Sequence, residues 1–385
     1  MSQQRPISVM FSAGEASGDQ HAAHLFLALK ELHPTLRGIG MGGPKMAQAG
    51  ISLSYDSSSI AVIGLVEVLK HYLEIRRALT LMQQLVSQEK PNLLICVDYK
   101  EFNLKLAQFA KRQGVKVLFY VSPQVWAWRP GRVLTYGRAI DMMAVIFPFE
   151  TAYYEAENIP VRYVGHPSVD KVKPQYSKTE ALSLFGLNPE QRIVGLLPGS
   201  RVNEIKRLLP VMLLAGEKLS SQHPDLQFIL PQATSISDAL LTEYLARTSL
   251  KVMVIKQQPY DVIQCCDAIM TSSGTASLEI ALLEIPMVIT YKISWLTYCL
   301  GRWLINTRFI GLPNIIAGKA IVKELIQHHA TALNLANEID KILHDADYSK
   351  RIRQDLQAVK QQLGQGGGSQ NMAQLASEML NANSR

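Results

Sequence analysis

Residues 7–19 read ISVMFSAGEASGD, an apolar run over 7–12 that passes directly into a loop rich in glycine and serine. Residues 21–32, HAAHLFLALKEL, follow with the apolar spacing of a helix. A buried strand, a glycine-containing turn and a helix in succession form the unit from which helix-covered parallel sheets are built. This stretch therefore indicates an α/β fold.

The same unit recurs along the chain, which extends the prediction to two sheets. Between residues 169 and 190 the pattern lapses into polar, proline-broken sequence, and a second series begins at Ile193. The predicted strands are Ile7–Ser12, Leu93–Val97, Val115–Val121, Met142–Phe147, Ile193–Leu197, Gln227–Leu230, Ala268–Met270 and Met287–Thr290. Two Rossmann-like domains follow, with ligands expected in the crevice at the carboxyl ends of the strands.

A chain of 385 residues exceeds the size of one hydrophobic core, so more than one domain is expected. The prediction has three parts. Residues 1–170 are predicted to form the first domain and residues 186–345 the second, with the link between 169 and 190. Residues 346–385 are predicted as helices. The sequence leaves open whether these helices cap their own domain or cross back to the first.

Composition and charge exclude several classes of protein. The four cysteines form no CxxC pair, so neither a zinc site nor a disulfide scaffold is predicted, and a reducing compartment fits best. The first apolar run is too short for a signal peptide, and the longest apolar stretches are interrupted by charge, so no membrane span is predicted. The formal net charge of +7 favours anionic partners such as nucleic acid, anionic lipid or phosphorylated substrate.

Asp98 is the candidate catalytic residue in the first half. Residues 93–98, LLICVD, form an apolar strand that ends on a carboxylate. A carboxylate at this position faces the crevice and can accept a proton from an attacking hydroxyl. The alternative is an N-cap for the helix that follows, and both roles can hold together.

Three loops of the first half suit anions or sugar rings. The loop Gly14–Asp19 lies at a helix N-terminus, where backbone N–H groups bind anions, although a tight turn explains it too. Residues 38–43, GIGMGG, lack a convincing preceding strand and are interpreted as a backbone loop near the cleft. The loop with Trp126 and Arg129 suits ring faces and phosphate, with packing as the alternative.

The second half contains the stronger ligand signal. Ser273, Gly274 and Thr275 follow a predicted strand and open a helix, which suits a pyrophosphate at the helix N-terminus. Glu279 lies about one turn further on, where it suits a ribose diol. The alternative is a merely capped helix. Residues 197–201, LPGSR, follow another strand and end on Arg201.

One amphipathic stretch, residues 60–77, indicates contact with a membrane surface or with the core. Apolar side chains recur there at helical spacing beside basic residues. The candidate membrane residues are Val62, Leu65, Val66, Leu69 and Leu73.

Six short motifs together resemble the lipid-A-disaccharide synthase family of Gram-negative bacteria. They are residues 14–19 (GEASGD), 122–128 (SPQVWAW), 165–167 (GHP), 197–201 (LPGSR), 273–276 (SGTA) and 312–314 (LPN). The resemblance implies a GT-B fold and an inverting, metal-independent transfer. In that reaction diacylglucosamine passes from its UDP derivative to diacylglucosamine 1-phosphate, which gives the β(1→6) disaccharide 1-phosphate and UDP. It also implies peripheral attachment to the cytoplasmic face of the inner membrane, with no cofactor, no metal and no nucleic acid.

The resemblance also assigns roles to residues. Asp98 matches the family's general base, and the expected UDP-binding residues are Arg201, Ser273, Gly274, Thr275, Glu279, Asn314 and Gln327. The expected acceptor and cleft residues are Gly14, Glu15, Ser17, Asp19, Asn103, Trp126 and Arg129. Glu101 and Val202 depart from the family pattern. A UDP-sugar epimerase of the same fold and a non-catalytic nucleotide-sugar or lipid-binding protein remain alternatives, and a homodimer is left open.

Overall fold

The computed structural model describes residues 7–57, 72–128, 131–293 and 307–382, and the chain divides into two compact units. The described residues up to Pro167, together with those from Gly366 onward, form the first unit. Ser168–Gln365 form the second, again for the residues described. Each unit is built on its own parallel sheet.

The first unit has a seven-stranded parallel sheet in the order β3-β2-β1-β4-β5-β6-β7. Its strands are β1 (Ser8–Ala13), β2 (Arg37–Gly42), β3 (Ser52–Asp56), β4 (Leu93–Val97), β5 (Lys116–Tyr120), β6 (Met142–Val145) and β7 (Val161–Tyr163). The described helices are α1 (Ala16–Leu32), α2 (Pro44–Gln48), α3 (Tyr72–Glu89), α4 (Lys100–Arg112), α5 (Val125–Trp128), α6 (Arg132–Gly137) and α7 (Thr151–Glu155), with a 3-10 turn at Pro148–Glu150. Every residue of β4 is buried, as expected for a strand covered on both faces.

The second unit has a six-stranded parallel sheet in the order β10-β9-β8-β11-β12-β13. Its strands are β8 (Ile193–Leu197), β9 (Gln227–Pro231), β10 (Val252–Ile255), β11 (Ala268–Ser272), β12 (Met287–Tyr291) and β13 (Lys323–Ile326). The described helices are α8 (Pro167–Lys171, at the boundary), α9 (Lys178–Leu184), α10 (Val202–Gln222), α11 (Asp238–Leu245), α12 (Pro259–Cys265), α13 (Thr275–Leu282), α14 (Leu312–Ala317), α15 (Ala332–His344) and α16 (Ala346–Gln362), with a 3-10 turn at Gln327–His329.

The last helix, α17 (Gly368–Asn381), belongs to the first unit, whereas α16 stays in the second. Met372 and Leu375 join the same buried cluster as Phe26 of α1. Ser377 lies 2.8 Å from the His33 ring nitrogen at the end of α1, and the Asn371 amide donates to the Val164 carbonyl at 3.1 Å. Apolar burial and these polar contacts fix the terminal helix to the first sheet.

Eight of the strands were predicted, and all eight are present; the structure adds β2, β3, β7, β10 and β13. The interpretation of residues 38–43 as a loop is wrong, since β2 occupies most of this stretch. A Cβ on Gly38 would lie 2.5 Å from the Phe26 ring, and one on Gly40 would lie 1.9 Å from the Phe11 carbonyl oxygen. The glycines therefore allow close packing, at the expense of the strand signal.

The segment predicted as the link between the domains is attached to the second unit. Backbone N–H groups of Gln175 and Tyr176 donate to the Asp261 carboxylate at 2.8 and 2.9 Å. Asp261 is buried at the start of α12. The Asp261 carboxylate accepts hydrogen bonds from two backbone N–H groups that would face water in a free linker.

Candidate functional site

Asp98 follows β4 directly, and its backbone is held in an uncommon conformation. Asp98 and Tyr99 have φ values of 49° and 47°, a left-handed region that side chains other than glycine seldom adopt. Helix α4 has Tyr99 as its N-cap, with no side-chain capping bond, so Asp98 is not the cap that was the alternative for it. Backbone strain of this kind persists only where the surroundings over-determine it, which is common at functional sites.

Asn103 is the residue that fixes this turn. Its side chain is fully buried, and its amide nitrogen donates to the carbonyls of Ser12 at 3.1 Å, Val97 at 3.3 Å and Asp98 at 2.8 Å. The Ser12 hydroxyl donates to the Asn103 amide oxygen at 2.6 Å. One side chain thus ties the carboxyl ends of β1 and β4 together, so Asn103 positions Asp98 from inside the unit.

Two carboxylates at this edge of the first sheet, Asp98 and Glu15, have raised pKa values. Burial raises the pKa of Asp98, against the Lys100 cation and a hydrogen bond from the Tyr99 backbone, which lower it. Burial also raises the pKa of Glu15, the Asp98 charge adds to the rise, and Lys100 lowers it. A carboxylate with a raised pKa is a stronger base once it is ionised.

The other residues predicted for the acceptor and the cleft in the first unit either lie at the surface or have a structural role. Ser17 and Glu15 are surface residues, although the carboxyl end of Glu15 is partly buried, and Gly14 is buried against the ring of Tyr99. Asp19 is buried and accepts from the backbone of Gly43 at 2.8 Å, so it holds α2. Arg129 lies outside the described residues.

Trp126 packs in the interior of the first unit. It is 7% exposed, and its indole N–H donates to Glu150 at 3.1 Å. Burial raises the pKa of Glu150 to about 7, although hydrogen bonds from Phe147 and Trp126 lower it. Sequence reasoning missed Glu150, because nothing local marks a carboxylate as buried. Packing, the alternative weighed for Trp126, is what the structure shows.

The second unit has an open cleft of about 600 Å³ along the carboxyl ends of its strands. Five of the residues predicted for UDP line it, namely Arg201, Ser273, Gly274, Thr275 and Glu279. Gly274 has φ +153°, and no heavy atom of the described residues outside its chain neighbours lies within 4 Å of the place where a Cβ would be. Gly274 and Thr275 are exposed at the start of α13. The backbone donors of this turn are accessible to an anion.

Glu279 faces the cleft with two partners that the sequence did not suggest. The Tyr260 hydroxyl donates to the Glu279 carboxylate at 3.2 Å, and the Lys171 ammonium lies 3.6 Å from it. Lys256 also lines the cleft. Tyr260 and Lys256 were missed because β10, which precedes both, was not predicted, and Lys171 was missed because it lies in the segment predicted as a link. The cleft therefore combines two lysines with acceptor groups for a diol.

The loop that ends on Arg201 is already occupied by a carboxylate of its own helix. Glu204 accepts from the backbone of Ser200 at 3.0 Å and of Arg201 at 3.2 Å. The Arg201 side chain is 72% exposed and pairs with Glu204 at 3.1 Å. At this loop an anion meets the Arg201 guanidinium, because Glu204 holds the backbone donors.

Asn314 and Gln327 do not line the cleft among the described residues. Asn314 is fully buried and bonds to the backbone of Ile321 and Val322 and to Glu324. Gln327 exchanges hydrogen bonds with the backbone of Ile293 at 2.8 and 3.1 Å. Through these hydrogen bonds both side chains hold neighbouring loops in place.

Of the candidate membrane residues, only Leu73 lies within the described part of the chain. Its side chain is exposed, as is that of Tyr72 beside it. Val62, Leu65, Val66 and Leu69 fall in 58–71, outside the described residues. In the part of the chain that the structure describes, no helix has the length and apolar character to cross a bilayer.

Similarity to known proteins agrees with this architecture. The family described as lipid-A-disaccharide synthetase matches residues 9–379. The lipid-A-disaccharide synthase of Geobacter sulfurreducens is 50% identical over 372 residues, which cover 97% of each chain. The calicheamicin glycosyltransferase CalG4 superposes with a TM-score of 0.63 at 13% identity, over 98% of this chain and 99% of that one.

The UDP-GlcNAc 2-epimerase of Neisseria meningitidis, solved with UDP-GlcNAc bound, gives a TM-score of 0.59 at 13% identity, over 98% of this chain and 99% of that one. At these identities the two structures establish the GT-B fold, which transferases and epimerases share. The family match and the close relative decide between the two activities. The chain therefore belongs to the lipid-A-disaccharide synthase family, and it is a glycosyltransferase of the GT-B fold.

Proposed function

We propose that the chain transfers 2,3-diacylglucosamine from its UDP derivative to the 6-hydroxyl of 2,3-diacylglucosamine 1-phosphate, with inversion at the anomeric carbon. The products are the β(1→6) lipid A disaccharide 1-phosphate and UDP. The observation that carries this proposal is the open turn of Gly274 and Thr275, which lies in the same cleft as Arg201, Glu279 and two lysines. Such a cleft suits a nucleoside diphosphate.

We assign the donor to the second unit because its cleft contains cationic groups and is open to a ligand. A pyrophosphate at the N-terminus of α13 gains from its backbone donors and from the helix dipole, by about 0.3–1 kcal/mol for the dipole alone. Arg201 contributes an exposed cation, and the Glu279 carboxylate suits the ribose hydroxyls. These groups also stabilise the charge that develops on UDP as it leaves.

Asp98 is assigned as the general base of the first unit. In the proposed step the acceptor oxygen attacks the anomeric carbon, its proton passes to the Asp98 carboxylate, and the bond to the UDP oxygen breaks. The net charge is unchanged, because the carboxylate loses the charge that UDP gains. The raised pKa of Asp98 and its fixed backbone support this role.

The test resolves the products of labelled UDP-diacylglucosamine incubated with and without diacylglucosamine 1-phosphate. A disaccharide that needs the acceptor, forms in EDTA and has β configuration supports the proposal. An isomerised sugar without acceptor would indicate an epimerase, and no product with donor still bound would indicate a binding protein. Glu279→Gln is expected to raise the donor KM, whereas Glu243→Gln, on exposed α11, leaves it unchanged.

We further propose that the helix around Leu73 attaches the protein to the inner-membrane surface. Tyr72 and Leu73 are exposed at the start of α3, and the proposed substrates both carry acyl chains. Burying one leucine in lipid contributes about 1.5–3 kcal/mol before entropy costs. Replacing Leu69 and Leu73 by serine is expected to reduce co-sedimentation with anionic vesicles. Leu214→Ser, at another exposed leucine, on α10, is the control, and an equal loss in both variants would contradict the proposal.

A further inference from the structure

Two histidines and an aspartate meet at the ends of two helices in the second unit. His223 ends α10, and Asp340 and His344 lie one turn apart at the end of α15. The Asp340 Oδ1 atom is 2.8 Å from Nε2 of His223 and 2.9 Å from Nδ1 of His344. The two rings stack with their centroids 4.3 Å apart. Three potential ligand atoms, from two helices, thus converge on one small volume.

The chemistry of this cluster matches a divalent transition metal. Two imidazole nitrogens and one carboxylate oxygen form a ligand set typical of Zn²⁺. The three atoms lie within 4.8 Å of one another, and an ion about 2.0–2.2 Å from each requires only small rotations of the side chains. The side chains of His223, Asp340 and His344 are 31%, 42% and 44% exposed, so water has access to complete the coordination.

Without an ion, the two histidines have a single carboxylate oxygen as their shared hydrogen-bond acceptor. Both rings compete for one oxygen of Asp340, the Oδ1 atom, while they stack on one another. A divalent ion removes the competition, because each nitrogen then donates a lone pair to the metal. The Nδ1 atom of His344, which also lies 3.0 Å from the Asp340 carbonyl oxygen, turns toward the ion.

We propose that His223, Asp340 and His344 bind one divalent transition-metal ion, with Zn²⁺ as the best match, and that the ion joins the ends of α10 and α15. Helix α10 has 21 residues and begins beside Arg201, so the cluster lies about 30 Å along the helix from the cleft. The ion therefore stabilises the second unit and takes no part in the transfer.

The test uses the full chain without an affinity tag, stripped with EDTA and exchanged into buffer. Calorimetric titration with Zn²⁺ is expected to show one saturable site, and Co²⁺ is expected to give the absorption bands of a nitrogen- and oxygen-ligated ion. His223→Asn and His344→Asn are each expected to weaken Zn²⁺ binding by at least about tenfold. Zn²⁺ should raise the melting temperature of the parent, and the same Zn²⁺ concentration should raise that of each variant by a smaller amount.

A second histidine pair supplies the matched control. His328 and His329 have ring centroids 4.0 Å apart and lie elsewhere in the same unit, so a double change to asparagine should preserve Zn²⁺ binding. The proposal is overturned if the parent shows no saturable site, if both single variants bind as the parent does, or if the double variant alone loses binding. Should a histidine variant not fold, Asp340→Asn decides by the same titration. Transfer activity in EDTA is measured separately and is expected to be retained.

Discussion

The turns after β1 and β11 each consist of two residues that include a glycine, Gly14 and Gly274, and each precedes a helix, yet the structure uses the two glycines in opposite ways. A Cβ on Gly14 would lie 2.3 Å from the Tyr99 ring. A Cβ on Gly274 would have no heavy atom within 4 Å. The first glycine allows a side chain to pack closely, and the second leaves room for a ligand.

The difference separates a positioning loop from a binding loop. Tyr99 lies between Asp98 and helix α4, so the loop after β1 supports the turn that presents the candidate base. At the loop after β11, no described side chain packs against Gly274 in this way, and the loop lines the cleft of the second unit. Two glycine-containing turns at the carboxyl ends of strands thus serve different steps of the proposed reaction.

Among the variants that test this comparison, Asp98→Asn is expected to have the largest effect on turnover. Without the carboxylate, the acceptor proton has no base, and turnover should fall by about 10²–10⁴-fold. Binding of UDP, measured by calorimetry, should stay as in the parent, because the donor cleft belongs to the second unit. Glu155→Gln, an exposed carboxylate of α7, is the control. Near-normal turnover of Asp98→Asn would remove Asp98 from the mechanism.

Asn103→Leu comes next, since it keeps the branching and the number of heavy atoms of the side chain and removes the hydrogen bonds that hold the turn. The Ser12 hydroxyl and three carbonyls lose a buried partner, which should cost about 3 kcal/mol of unfolding free energy. Turnover should fall as well, with little change in donor KM. Urea unfolding and steady-state kinetics measure the two effects.

Removing only the hydrogen bond from Ser12 to Asn103 is a milder change, and it serves as the control for Asn103→Leu. Ser12→Ala removes one hydroxyl donor and leaves the three carbonyl contacts in place, so its loss of stability should be clearly smaller. Equal losses in both variants would show that Asn103 does not anchor the turn.

The central strands and the donor turn were predictable from sequence, because both depend on local patterns. Strands β4 and β8 are runs without polar side chains that precede a turn, and β11 begins with the apolar residues 268–270 before its own turn. Strand β2 was not predictable, since three of its six residues are glycines whose purpose is close contact with Phe26, Phe11 and Met46. Those neighbours come from other elements, and no local pattern contains them.

The partners of the candidate site residues were predictable to a smaller extent. Asp98 and Glu279 stand out because they follow predicted strands. Their surroundings do not, since Glu15 and Tyr260 reach them only through the fold. Asn314 fits a motif, yet its four hydrogen bonds show a structural function that spacing alone does not distinguish from ligand binding.

Gly14→Ala tests whether steric fit defines the first loop. The added methyl group would collide with the Tyr99 ring, and overpacking of this kind costs about 1–3 kcal/mol. Truncating the ring in Gly14→Ala/Tyr99→Ala should recover part of the lost stability, as measured by urea unfolding relative to Tyr99→Ala. No recovery would mean that the ring is not what requires glycine.

Gly274→Ala is the counterpart in the second loop. Its φ of +153° is unfavourable for alanine, and the methyl group would project into the open cleft. We therefore expect weaker UDP binding by calorimetry, and no neighbouring side chain whose truncation restores it. UDP affinity equal to that of the parent would place the nucleotide away from this turn.

Lys100→Met is expected to have the smallest effect, and it tests the electrostatics of the first loop. Lys100 lowers the pKa of both Asp98 and Glu15, so removing its charge raises both pKa values. A base must be ionised to act, and a higher pKa leaves more Asp98 protonated at acidic pH. The acid limb of kcat/KM should therefore move to higher pH, with a few-fold loss of rate at a fixed acidic pH and an unchanged plateau. Lys105→Met, an exposed change on the same helix, should leave the limb in place. A limb that stays fixed in Lys100→Met, or moves to lower pH, would show that Asp98 is not the group whose ionisation limits the rate.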